Sequence, residues 1–218
     1  MSSTTHVHNN FPVFIRRARI AAKFASNDPS RALDAIIYSA IALEAYPNDF
    51  VRWLETPMRV EPQLIPPELK AAYLIVSDLE EQRVSSRTKY QVLLYTLCSK
   101  TFDPGSKPFD DFIFLFKLRD ELVHPKCGYH RVADGVDEQD KLTKKLIVGL
   151  ESRGLTQRER FFASQSWMAR LENAVVANWA VETARAMVNA ICDAVPDCTY
   201  SGSINGVRGS SSSLNSPI

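Results

Sequence analysis

Apolar residues recur along this chain at three- and four-residue intervals, the period of helices with a buried face, and little reads as strand. Phe14 to Ala25 reads as a short helix carrying Arg16, Arg17, Arg19 and Lys23. Asn27-Asp28-Pro29 restarts the chain, with Asp28 as N-cap and Pro29 at the first helical position. The segment that follows, RALDAIIYSAIALEAY, is apolar almost all round, so neighbours are expected to bury it on more than one side. Pro47 is expected to kink or end that helix, leaving Asn48 just past it. Glu55 to Pro66, with three prolines, is expected to be a loop.

Pro67 to Val84 opens on PPEL and reads as a helix. Ser86 is expected to cap another, with Tyr90, Leu93, Leu94 and Leu97 as its apolar face. Asp103-Pro104-Gly105 marks a turn, and Ser106 opens a helix that must stop near His124, because Pro125 disfavours helical geometry in the residue before it. The charged stretch 126–163 reads as a peripheral insertion with a helix over Glu138 to Leu150. Ser164 to Val195 is one long helical pattern, with Trp167, Leu171, Val175 and Trp179 at four-residue spacing. A helix of that length would outrun a bundle, so a break or a subunit contact is expected. The fold class expected is all-α, an up-and-down bundle of about five to seven helices. Residues 11–198 form its single domain, between a mobile leader (1–10) and a disordered tail (199–218).

Charge narrows the functional classes. With 26 Lys and Arg against 25 Asp and Glu, the chain cannot coat long nucleic acid by charge alone, so any RNA contact must be local. The polar first ten residues and four cysteines suit a cytoplasmic protein with unpaired thiols. No apolar run reaches membrane-spanning length, so no membrane partner is expected.

The candidate chemistry lies in FDDFIFLFKLRDELVHPK, residues 109–126, where an apolar helix ends in Arg119-Asp120 and then His124. A permanent guanidinium offers a planar fork to phosphate oxygens, and an imidazole moves a proton near neutrality. Arg119 and His124 are five apart, roughly 140° around an ideal helix, and do not share its face. Asp120 and His124, four apart, do, so Asp120 is expected to orient the ring. Glu44 and Asn48 continue the stripe of Ile37 and Ile41 and point polar groups inward or to an interface. The plain alternative is a solvated helix end whose charges do nothing more than face water.

LRDELVHPK resembles the signature of HEPN domains: an arginine, a polar residue next to it, and a histidine four to six positions beyond the arginine. AIALEAYPNDF is similar to the first core helix of many such domains, which often carries a glutamate and an asparagine. The resemblance covers roughly residues 29–124 and the last helix. It implies a helical bundle that dimerises, with the motifs of two copies facing one cleft. It also implies a metal-independent endoribonuclease of the kind found in toxin–antitoxin and phage-defence systems, with no cofactor. In that reading the ribose 2′-hydroxyl attacks the adjacent phosphate, Arg119 stabilises the transition state, His124 handles the proton and Asp120 positions them. Glu44 and Asn48 line the cleft. The partners implied are RNA, a second copy, and a protein antitoxin or regulator. Lys126 stands where one toxin subgroup has a tyrosine, so regulation through that residue is not implied. A second reading is a non-catalytic module that binds nucleotide, RNA or protein.

Other constellations are weaker. Cys127-x-x-His130 is half a metal site without its second half, and no metal is expected. His6-x-His8 lies in the leader, and the acidic residues from Asp134 to Asp140 lack a calcium-loop pattern. There is no phosphate-cradling glycine loop and no GxSxG.

Overall fold

In a computed structural model of the chain, which describes residues 9–124, 132–133, 136–137, 141–156 and 167–198, seven α-helices pack as a bundle. They are α1 (Asn10–Phe24), α2 (Arg31–Val60), α3 (Pro67–Glu81), α4 (Ser86–Cys98), α5 (Phe109–Val123), α6 (Lys141–Ser152) and α7 (Ala174–Ala194). One two-residue antiparallel pairing joins β1 (Val132–Ala133) to β2 (Val136–Asp137). The expected leader up to residue 8 and the tail from 199 lie outside the described residues, as do Cys127 and His130. Among the described residues, no helix is long and apolar enough to cross a membrane.

The centre of the bundle is α2, which packs against α1, α3, α4, α5 and α7, as its all-round apolar sequence requires. It is 30 residues long, about 45 Å at a helical rise of ~1.5 Å per residue. Pro47 and Pro57 lie inside it, so the expected break at Pro47 is not found, and the loop expected over 55–66 is confined to 61–66, where Pro62–Leu64 forms a short 3-10 turn. The reason is a tertiary donor. Pro47 has no N–H for the Leu43 carbonyl one turn back, and the Tyr90 hydroxyl of α4 donates to that oxygen instead (3.1 Å). Leu43 and Tyr90 are both buried, so the helix continues with its orphaned acceptor satisfied.

Around this point an aromatic series runs through the core, from Phe11 on α1 through Tyr46, Tyr90 and Phe112 to Phe109 and Phe102. Each such ring, fully buried, contributes roughly 1.5–3 kcal/mol. The start of α1 is held by α2: Asp49 Oδ2 accepts the Phe11 N–H (2.7 Å) and the Trp53 indole donates to Asn9 Oδ1 (2.8 Å). Burial pushes the Asp49 carboxyl above its ordinary range, against the opposing pull of the Phe11 and Asn10 amides and the Arg52 charge.

The expected face of α4 is correct: Tyr90, Leu93, Leu94 and Leu97 are all buried. Its cap is Ser85 rather than Ser86. The helix expected in the charged stretch exists as α6, and two of its residues, Leu146 and Leu150, are buried with the core. Arg153, just past it, bonds Asp111 (2.8 Å) and Asp110 of α5, and its guanidinium lies over the Phe114 ring.

The last long pattern is broken, as its length suggests. Trp167–Arg170 is a 3-10 turn, and α7 starts afresh where Asn173 Oδ1 accepts the Val176 N–H (2.9 Å). Its buried face is Val176, Ala180, Ala184, Met187 and Ile191, whereas Val175 of the four-residue series is exposed. Small residues on this face let α7 pack on both α1 and α2.

Candidate functional site

The end of α5 is fixed from beneath. Phe112, Leu115 and Leu118 turn into the core, which leaves Arg119 at the rim of the buried face. The Arg119 guanidinium is therefore only partly exposed and lies over the Phe116 ring, 5.4 Å from its centroid. Its two arms are both engaged: Nη2 pairs with Glu44 of α2, and Nη1 pairs with Asp120 Oδ1 (2.7 Å). Glu44 thus points neither to the interior nor to empty solvent; it joins α2 to α5.

His124 is the C-cap of α5. Its backbone leaves helical geometry (φ −125°, ψ 61°), while its N–H still donates to the Asp120 carbonyl (2.9 Å) and closes the last turn. The side chain is exposed, and among the described residues the imidazole has no hydrogen-bond partner. The expected bond between the Asp120 carboxylate and the His124 ring is absent, because that carboxylate is turned to Arg119. Leaving the helix at residue 124 also removes the ideal four-residue stacking on which that expectation rests.

Asn48 belongs to a neighbouring cluster. It lies inside α2, one turn beyond Glu44, and in the amide orientation that satisfies both groups it donates to Glu80 Oε1 and Oε2 of α3 (2.9 and 2.6 Å). Glu80 Oε1 also takes Lys89 Nζ of α4 (2.7 Å). Sequence reasoning misses Glu80 and Lys89, although a signal exists. Lys89 occupies the same stripe as Leu93 and Leu97, and Glu80 the same stripe as Val76. A charge on an apolar stripe asks for a partner, and here the two satisfy each other.

The structure therefore brings together Arg119, Asp120 and Glu44, sets His124 at the same helix end with its ring in solvent, and assigns Asn48 to inter-helix packing. One guanidinium faces two carboxylates, so this cluster carries a net negative charge without a proton on His124. Both carboxylates are substantially exposed, at 40% for Glu44 and 58% for Asp120, so each pair is worth only ~0.2–1 kcal/mol. A phosphate oxygen that reaches the guanidinium can displace either one at little cost. Among the described residues, no three His, Cys, Asp or Glu side chains gather into a metal-binding group. In comparisons with known proteins, no family model, no curated protein and no solved structure matches this chain.

Proposed function

We propose that this chain is a metal-independent endoribonuclease of the HEPN type, acting as a homodimer, with Arg119 and His124 as its catalytic residues. The observation that carries the reading is a half-buried guanidinium, held by two easily displaced carboxylates, on the same helix end as a solvent-facing imidazole. In the reaction, the ribose 2′-oxygen forms a bond to phosphorus as the bond from phosphorus to the 5′-oxygen breaks. The products are a cyclic 2′,3′-phosphate and a 5′-hydroxyl. The 2′-hydroxyl proton passes to one imidazole, and the departing 5′-oxygen takes a proton from another. Arg119 exchanges a carboxylate for a phosphate oxygen and neutralises the charge that grows there. A second copy supplies the second imidazole, since each chain brings one His124. Asp120 holds the guanidinium until substrate arrives, and Glu44 keeps it aimed from α2. A toxin or phage-defence role, with a protein antitoxin or regulator, accompanies this reading.

The test is cleavage of a mixed-sequence RNA in excess chelator, with the product ends analysed. His124→Ala and Arg119→Ala are expected to lose about 10²- to 10⁴-fold in rate each while remaining folded, with Arg119→Ala melting slightly lower through loss of its pairs to Glu44 and Asp120. Full activity in both variants rejects the proposal.

One observation favours a non-catalytic module instead: within a single chain the Arg119 charge is already matched, and the His124 ring has no described group to orient it. That reading expects no cleavage product under any condition, with the two variants altering RNA or nucleotide affinity alone.

A further inference from the structure

The outer side of α1 combines a run of cations with exposed apolar side chains. The helix carries Arg16, Arg17, Arg19 and Lys23 and no carboxylate. Phe11, Ile15, Ala18 and Ala22 face the core, yet apolar side chains also stand outside: Val13 is 48% exposed, Ile20 48% and Phe24 51%. Positions 13, 17, 20 and 24 follow one another at four- and three-residue steps and form a single ridge. An open groove runs on each side of it. One, of about 520 Å³, lies between the ridge and α2 and includes Phe24, Arg31 and Tyr38; the other, of about 540 Å³, includes Pro12, Val13 and Arg16. Arg17 and Ile20 line both. The carboxylates beside the first groove, Asp28 and Asp34, share the single charge of Arg31, which leaves one negative charge there against the four cations of α1.

We propose that this face docks an amphipathic helix of a partner protein, with apolar residues along one stripe and acidic residues flanking it. A ridge bordered by two grooves is the surface into which the ridges of a second helix pack. Covering Val13, Ile20 and Phe24 removes exposed apolar area from water, and the basic flanks set the sign of the partner. Among the described residues, the only aromatic side chains lining these grooves are Phe24 and Tyr38, and phosphates gain nothing from the apolar stripe, so an amphipathic helix uses more of this face than RNA does. The chain's own segment 199–218 has no Asp or Glu to match the arginines. Pairing α1 with α1 of a second copy would set like charges together. The α3 face of a second copy, where Leu74, Ile75, Asp78 and Glu81 are exposed, is the alternative that the Asp78→Lys arm of the test below separates. This inference is independent of Arg119 and His124.

The probe is a labelled synthetic helix with leucines at heptad spacing and glutamates beside them, titrated with the full chain and followed by fluorescence anisotropy. Binding is expected to be at least about tenfold tighter than that of a scrambled peptide of the same composition, and to weaken with salt. Ile20→Asp, and separately Arg16→Glu with Arg17→Glu, are expected to weaken it by about tenfold or more, while Arg119→Ala and the distant Arg87→Glu leave it unchanged. All these positions apart from Arg119 are exposed, and thermal melts check that each variant folds. Equal affinity for the scrambled peptide overturns the proposal. So does the absence of peptide binding together with RNA binding that the α1 variants abolish. Concentration-dependent self-association lost in both the α1 variants and Asp78→Lys overturns it too, in favour of a second copy.

Discussion

Replacing Tyr90 with phenylalanine tests the account of why α2 passes through Pro47 unbroken. The variant keeps the ring, with its stacking on Tyr46 (6.2 Å) and its contact with Phe112 (5.1 Å), and deletes only the hydroxyl that donates to the Leu43 oxygen. That oxygen is buried and Pro47 cannot serve it, so the loss is an unsatisfied buried acceptor, about 1–3 kcal/mol. The same change made in a Pro47→Ala background meets a different situation, because an alanine at that position supplies the ordinary helical N–H. There the cost should fall to that of a redundant hydrogen bond, roughly 0.5 kcal/mol or less. The double-mutant cycle is therefore expected to show a coupling of about 1–2 kcal/mol, whatever the separate effect of removing the proline ring. Urea unfolding followed by far-ultraviolet circular dichroism measures all four corners at pH 7. If Tyr90→Phe costs the same in both backgrounds, the hydroxyl is not what replaces the missing amide.

Two further perturbations probe the bundle's polar contacts. Arg153→Met is expected to destabilise near the low end of the roughly 3–5 kcal/mol seen when a buried pair is broken, because Asp111, only 7% exposed, keeps Lys107 as a partner (3.2 Å); chemical unfolding reads this directly. Asp49→Asn keeps an acceptor for the Phe11 amide and removes the titration. Since the folded-state pKa of Asp49 is raised above 3.8, the folded protein holds that proton more tightly than the unfolded chain. The stability linked to it is complete below the unfolded value and is lost as pH rises through the folded one. Wild type should therefore lose melting temperature relative to Asp49→Asn between about pH 3 and pH 7, and a gap that moves the other way contradicts the raised value.

Much of this architecture can be read from local pattern. The apolar face of α4, the stop of α5 ahead of Pro125 and the fresh start of α7 all follow from residues a few positions apart. Even the Asn173 cap has a local signature, an asparagine immediately ahead of Ala174-Val175-Val176. What escapes is whatever depends on a partner distant in sequence. Pro47 looks like a terminator until Tyr90 is seen to stand in for its amide. At the candidate site, the Arg-x4-His spacing and the stripe that includes Glu44 are legible. That Glu44 would reach Arg119, and that Asp120 would turn to arginine rather than histidine, depends on how α2 crosses α5. Asn48 stands out by its stripe position, but only the tertiary arrangement shows Glu80 waiting opposite it.

The seat of α7 against both α1 and α2 has a consequence for how the chain is made. The first two helices leave the ribosome early, yet the slot between them stays open until the last described helix has been synthesised. During that interval part of the nascent hairpin presents its apolar seam to the cell. The final closing step joins segments far apart in sequence, so it comes late and slowly compared with the pairing of α3 and α4 next to each other. A chain halted before Ala174 has a hairpin with nothing to shut it.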